Sequence, residues 1–338
     1  MSEATLPRPA SVAPEDGSLP VPIRNVFLHV TKACNLRCRY CYFSADTSEP
    51  DEMTYEEFKS LWPQLVELGP SKVVFTGGEP LLRTDIFGLL NGLRNADRSG
   101  YIRRCLNTNG HLVTPDVARR LIGLADEVRV SLDALADRND VLRGKGNFTA
   151  ALRALDTLYN EGFEPKVLVT FTTQSAPDLE EFIYFLLSRN IRRININVFR
   201  PIGRGEVHLD WLANIGDAYR SLKRAWMRCY PDQTPPTFSE SENANCGVGQ
   251  FLNILPNGNV FPCHVLMQPE FRLGNVRHDP LKPMCSRDGL MGALAGLSFA
   301  DLAGEDEHLK PLSRPHTCMG TVYEVNRLLP IWGQNLRL

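Results

Sequence analysis

Six short apolar runs, each followed by a stretch of helical periodicity, constrain this 338-residue chain more than any other feature. The runs are Asn25–Val30, Lys72–Thr76, Tyr101–Asn107, Glu127–Leu132, Lys166–Thr172 and Arg192–Val198. They are rich in Val, Ile, Leu and Phe, as strands buried on both faces are. Helical patterns follow at Thr54–Leu68, Asp85–Asn95, Thr114–Leu124, Asn147–Glu161, Asp178–Ser188 and Asp210–Arg228. Thr54 is placed to cap the first of these, with Phe58, Leu61, Trp62 and Leu65 along one face, and Pro63 should kink or split it. Thr114–Pro115 reads as a helix start with proline in the first turn. Successive βα units require a parallel sheet with helices outside it. Six of them predict an α/β fold that is either an open doubly wound sheet or a partial barrel. In both, ligands sit at the C-terminal ends of the strands.

Composition supports an ordinary soluble core, with 43% hydrophobic and 22% charged residues. A net charge of −2 gives no global field for nucleic acid or an anionic membrane surface. No apolar run approaches the roughly 18 residues of a membrane span. Residues 1–23 are rich in Pro, Ser, Ala and acidic groups and lack the basic start and apolar stretch of a secretory signal, so they read as a disordered arm and the expected location is cytoplasmic. The βα alternation stops after Pro201, and the Pro-rich segment Tyr230–Pro236 reads as a linker. The expected units are therefore the arm, a barrel at 24–229 and a smaller C-terminal domain at 230–338. In that last unit Phe251–Leu255 and Asn259–Pro262 flank Pro256-Asn257-Gly258, a hairpin signal.

The chain has nine cysteines, and Cys34, Cys38 and Cys41 fall together just after the first strand. Thiols at this spacing can wrap three corners of a cubane iron–sulfur cluster. Such clusters usually take four thiolates, so three leave one iron open to a ligand. Spacing alone also admits a zinc site or buried thiols, although no adjacent His or Cys supplies zinc with a fourth ligand. Other strand ends are polar too: Gly77, Gly78 and Glu79 follow the second strand, Asn107 and Asn109 the third, Ser131 and Asp133 the fourth. The glycine pair lets the backbone approach a ligand, or simply makes a tight turn. Asn107 and Asn109 before Gly110 also suit Asx turns.

Cys34-x-x-x-Cys38-x-Tyr40-Cys41, then Thr76-Gly77-Gly78-Glu79-Pro80, then Ser131-Leu132-Asp133 with Arg143-Gly144 downstream, together resemble the radical S-adenosylmethionine (SAM) superfamily over about Val26 to Arg204. The resemblance implies a partial (β/α)6 TIM barrel with a [4Fe–4S] cluster on the three cysteines. It implies SAM chelated at the open iron and cleaved reductively, giving a 5′-deoxyadenosyl radical that abstracts hydrogen. It assigns cofactor contacts to Tyr40, Gly77, Gly78, Glu79 (the SAM ammonium), Asn109, Ser131 (carboxylate or ribose) and Arg143 (carboxylate). It also implies a flavodoxin- or ferredoxin-type electron donor. Arg200–Arg204 resembles the loop that passes near the adenine in relatives.

Downstream, Cys246 and Cys263, with Gly258 between them, resemble the start of a SPASM or Twitch auxiliary-cluster extension, as does Phe271–Val276 after them. The dense cysteine run of the full SPASM pattern is missing. Cys285 and Cys318 are left to complete one auxiliary [4Fe–4S] cluster, with Cys285 the weakest ligand and His264 and His316 as substitutes. Cys105 and Cys229 read as core residues. The substrate expected is a small, polar, sugar-like molecule undergoing dehydrogenation, epimerisation or decarboxylation. The alternative is a precursor peptide, against which stands the short segment before the first strand. A catalytically dead binding protein is disfavoured by the intact Cys34, Cys38, Cys41 and Glu79. Asp133 is a possible proton acceptor, and Glu240, Glu242 and Asn243 could line a cavity between the units.

Overall fold

A computed structural model of the protein describes residues 23–235, 249–286 and 289–295. The N-terminal arm up to residue 22, Glu240, Glu242, Asn243, Cys246, His316 and Cys318 lie outside the described residues. The chain runs β1 (Asn25–Thr31), α1 (Tyr55–Leu68), β2 (Lys72–Gly77), α2 (Ile86–Ala96), β3 (Arg103–Thr108), α3 (Pro115–Leu121), β4 (Glu127–Ser131), α4 (Ala136–Arg143), α5 (Asn147–Asn160), β5 (Lys166–Phe171), α6 (Leu179–Ser188), β6 (Ile194–Val198) and α7 (Ile215–Cys229). Then come β7 (Phe251–Ile254), β8 (Asn259–Phe261), β9 (Gly274–Asn275) and the short helices α8 (Leu281–Met284) and α9 (Leu290–Ala295).

The sheet order is β6-β5-β4-β3-β2-β1-β7-β8-β9. β1 to β6 pair in parallel, each with the next in sequence. A doubly wound sheet would reverse this order at a switch point. Here every crossover adds its strand on the same side, which curls the sheet into an open partial barrel. Alternate residues divide between the two faces. Val73, Phe75, Leu106, Val128, Val130 and Val167 join the core beneath the helices. Thr76, Asn107, Ser131 and Thr170 turn to the barrel interior and line a cavity at its mouth.

Local signals explain the helices. Thr54 and Glu57 form a reciprocal capping box at the start of α1, which ends at Gly69 in the left-handed region with φ 66°. Phe58, Leu61, Trp62 and Leu65 are buried, as read from the sequence. Pro63 lies inside α1, yet the helix runs unsplit to Leu68. Two features differ from the sequence reading. The helix α4 was not foreseen, and β7 pairs in parallel with β1, from Asn25↔Phe251 to Leu28↔Ile254. The expected hairpin forms as β7 and β8, and it continues the barrel's own sheet. Among the described residues no helix is long and apolar enough to cross a membrane.

Candidate active site

Past the end of β1 the chain folds over the barrel mouth and brings Cys34, Cys38 and Cys41 to the wall of a cavity of about 260 Å³. Backbone contacts hold this loop. Gly78 N donates to Thr31 O and Glu79 N to Ala33 O, both at 2.8 Å. A Cβ on Gly78 would lie 2.0 Å from Ala33 O, and one on Gly77, whose φ is 130°, 2.3 Å from Thr31 O. The glycine pair therefore makes its closest approach to the chain's own cysteine loop, where the sequence reading put a ligand. Both glycines also border the cavity. From the far rim, Arg204 Nε donates to Cys38 O (2.9 Å) and Nη1 to Ala45 O (2.8 Å). Nothing in the sequence marks this staple, because its acceptors are main-chain carbonyls.

A buried polar network ties down both ends of the loop. Asp133, fully buried, accepts Nε and Nη2 of Arg143 at 2.7 and 2.8 Å, Thr170 N at 2.7 Å and the Tyr40 hydroxyl. Asp133 N donates to Asn139 Oδ1 (3.0 Å), Asn139 Nδ2 to Asn147 Oδ1 (3.0 Å) and Asn147 Nδ2 to Asn109 O (3.0 Å). Asn109 Nδ2 then reaches Asn35 Oδ1 at 2.7 Å, back in the cysteine loop. Asp133, read as a possible proton acceptor, is saturated with donors and positions its neighbours instead. Arg143, expected to meet a SAM carboxylate, spends two of its N–H groups on Asp133. Asn109 keeps both of its readings, since it borders the cavity and closes an Asx turn with His111 N at 3.0 Å. Ser131 lines the cavity from the end of β4.

Glu79 lies behind the cavity wall, fully buried. It accepts Thr108 Oγ1 (2.9 Å), Asn109 N (2.7 Å) and Leu81 N (3.2 Å). Burial pushes its pKa up to about 7 against the pull of these three bonds. In this arrangement Glu79 ties the end of β3 to the turn after β2.

The thiols fit a cationic cluster. Burial raises the Cys38 pKa to about 12, with Arg143 opposing and Cys41, Asp133 and Cys34 adding repulsion. The Cys34 pKa is raised by burial, opposed by the Leu36 N–H at 3.4 Å, with repulsion from Glu79 and Cys41. Three thiolates facing one cavity oppose one another's ionisation, and bound iron relieves that repulsion. Among the described residues no three His, Cys, Asp or Glu side chains converge on a single-ion site.

In the C-terminal extension, Cys263 Sγ accepts backbone N–H groups from Val265 and Leu266, both at 3.4 Å. Cys285 differs. It is fully buried in the main apolar core with Leu281 and Met284, and burial raises its pKa to about 12. The His264 ring sits at the cavity wall, 5.2 Å from Phe27 and 5.9 Å from Tyr42. Cys105 is a core residue of β3, as expected.

The radical SAM superfamily profile matches residues 28–199, half of the chain, from within β1 to the end of β6. The chain belongs to the radical SAM superfamily. An iron–sulfur cluster-binding (SPASM) profile matches residues 246–298. This radical SAM protein is thus an enzyme whose cofactors are [4Fe–4S] clusters and SAM. It is 32% identical over 267 residues to the mycofactocin maturase MftC of Mycolicibacterium smegmatis, covering 74% of this chain and 66% of that protein. It is also 32% identical over 299 residues to the AdoMet-dependent heme synthase of Oleidesulfovibrio alaskensis, covering 78% and 74%. Streptococcus suis SuiB bound to SAM shares the fold, with a TM-score of 0.67 over 90% of this chain and 72% of that one at 17% identity.

Proposed function

We propose that this enzyme cleaves SAM reductively at the barrel mouth and uses the resulting radical to abstract hydrogen from a maturing peptide. The carrying observation is the three thiols of one loop on the wall of one cavity, framed by Gly77, Gly78, Asn109 and Ser131. Cys34, Cys38 and Cys41 would hold the cluster, which when bound supplies the electron that splits SAM. Arg204, Asp133 and the asparagine chain fix the loop, while the polar strand ends orient SAM. Cys263, with Cys246 and Cys318, would serve the auxiliary cluster.

The sugar-like substrate expected from the sequence finds no support among the relatives described above, whereas the maturase supports a peptide. The heme synthase, matched along most of both chains, favours a second reading, a tetrapyrrole-class acid. The test is anaerobic reconstitution, reduction by dithionite or by a flavodoxin- or ferredoxin-type donor, and quantification of 5′-deoxyadenosine. Iron should approach about eight per chain for two clusters. Ala at Cys34, Cys38 or Cys41 should abolish cleavage, and cleavage surviving any of these changes would sink the reading.

A further inference from the structure

The charge on the cavity wall is one-sided. Among its described lining residues there is no Asp or Glu, but there are three arginines. Two are already engaged: Arg143 is ion-paired to Asp133, and Arg204 is bonded to the Cys38 and Ala45 carbonyls. The third, Arg200, follows β6 on the rim facing the cysteine loop. It makes no side-chain hydrogen bond or ion pair among the described residues, while its backbone is fixed by Ile202 N donating to Arg200 O at 2.9 Å. A guanidinium at the cavity wall, with no Asp or Glu among the described lining residues, is a ready partner for a planar anion.

We propose that Arg200 binds a carboxylate of the substrate, so that the enzyme selects acids over their neutral analogues. The proposal rests on the radical SAM reading and deepens it by naming the substrate's chemical class. A peptide C-terminus and a small polyacid share this chemistry. SAM carries a carboxylate too, and the same experiment tells it apart.

SAM-saturated, reconstituted holoenzyme is titrated anaerobically with four probes: N-acetyl-tetra-alanine, its C-terminal amide, coproporphyrin III and its tetramethyl ester. One free acid should bind at least about tenfold tighter than its neutral counterpart, as a charge-assisted bond gives. Arg200→Gln should erase that preference, and Arg200→Lys should restore part of it. SAM affinity should be the same in all three proteins. Preference within the first pair identifies a peptide terminus, and within the second a small polyacid. Three results would each overturn the proposal: a wild type blind to both pairs, a preference that survives Arg200→Gln, or weakened SAM binding in that variant, which would give Arg200 to SAM itself. Absence of SAM cleavage would instead fall on the radical SAM reading, because acid preference is read here as binding alone.

Discussion

Changing Asp133 to Asn preserves the side chain's shape but removes the charge against which Arg143 is buried. Asp133 is inaccessible and Arg143 only 7% exposed, so little water can replace the lost partner. The carboxylate takes two N–H groups from Arg143, one from Thr170 N and the Tyr40 hydroxyl. An amide offers one oxygen, and its NH2 would face a donor. Breaking a buried pair in this way costs about 3–5 kcal/mol. The assay is urea unfolding of the iron-free protein, so that no cluster contributes. Arg143→Gln should cost a comparable amount. The double variant should cost less than the sum of the two, with a coupling of about 1–3 kcal/mol. A loss below about 1 kcal/mol for Asp133→Asn, or strict additivity, would refute the claim that this pair secures the corner between β4 and α4.

Gly78→Ala should lower iron incorporation with little change in helicity, because its Cβ would sit 2.0 Å from Ala33 O and push on the cysteine loop; iron content and circular dichroism check this. Burial raises the Glu79 pKa from an ordinary 4.5 to about 7, so the folded chain keeps a proton that the unfolded chain releases. Its stabilisation is complete below about pH 4.5 and lost as pH rises through about 7, by up to about 3 kcal/mol. Urea midpoints across that window should fall for the iron-free wild type and stay flatter for Glu79→Gln; equal slopes would remove Glu79 as the source. Cys263→Ala should lose about four irons per chain, whereas Cys285→Ala should retain its iron and lose only packing energy. Iron loss on changing Cys285 would restore it as a ligand.

Much of this architecture was legible because its signals are local. Thr54 announces α1, and the apolar runs from Val26 to Val198 announce six strands within a few residues of their ends. The cysteine spacing placed the loop, and Pro256-Asn257-Gly258 placed the hairpin. What stayed hidden has non-local or non-periodic causes. The helix α4 is mostly polar and buries Asn139 and Arg143 beside the single apolar Leu142 instead of an apolar stripe, so no period betrays it. Asp133 reads as one more strand-end acid until Arg143 and Tyr40 are brought against it in space. Nothing in the pattern of Phe251–Ile254 names β1 as its neighbour. Glu79 stands out in the motif, but its bonds to Thr108 and Asn109 do not, because a motif names a residue without showing which neighbours meet it.

The pairing of β1 with β7 also sets a timetable. The cysteine loop leaves the ribosome early, joined to a strand whose outer neighbour is more than two hundred residues downstream. Long-range parallel pairing belongs to the slow class of folding events, and an unpaired strand edge invites wrong partners meanwhile. The three thiols therefore stay attached to an unfinished edge until β7, more than two hundred residues later, has been made. Iron delivered before β7 emerges meets a loop whose supporting strand is still open on one side, so cluster assembly on this chain belongs after that last parallel strand has closed.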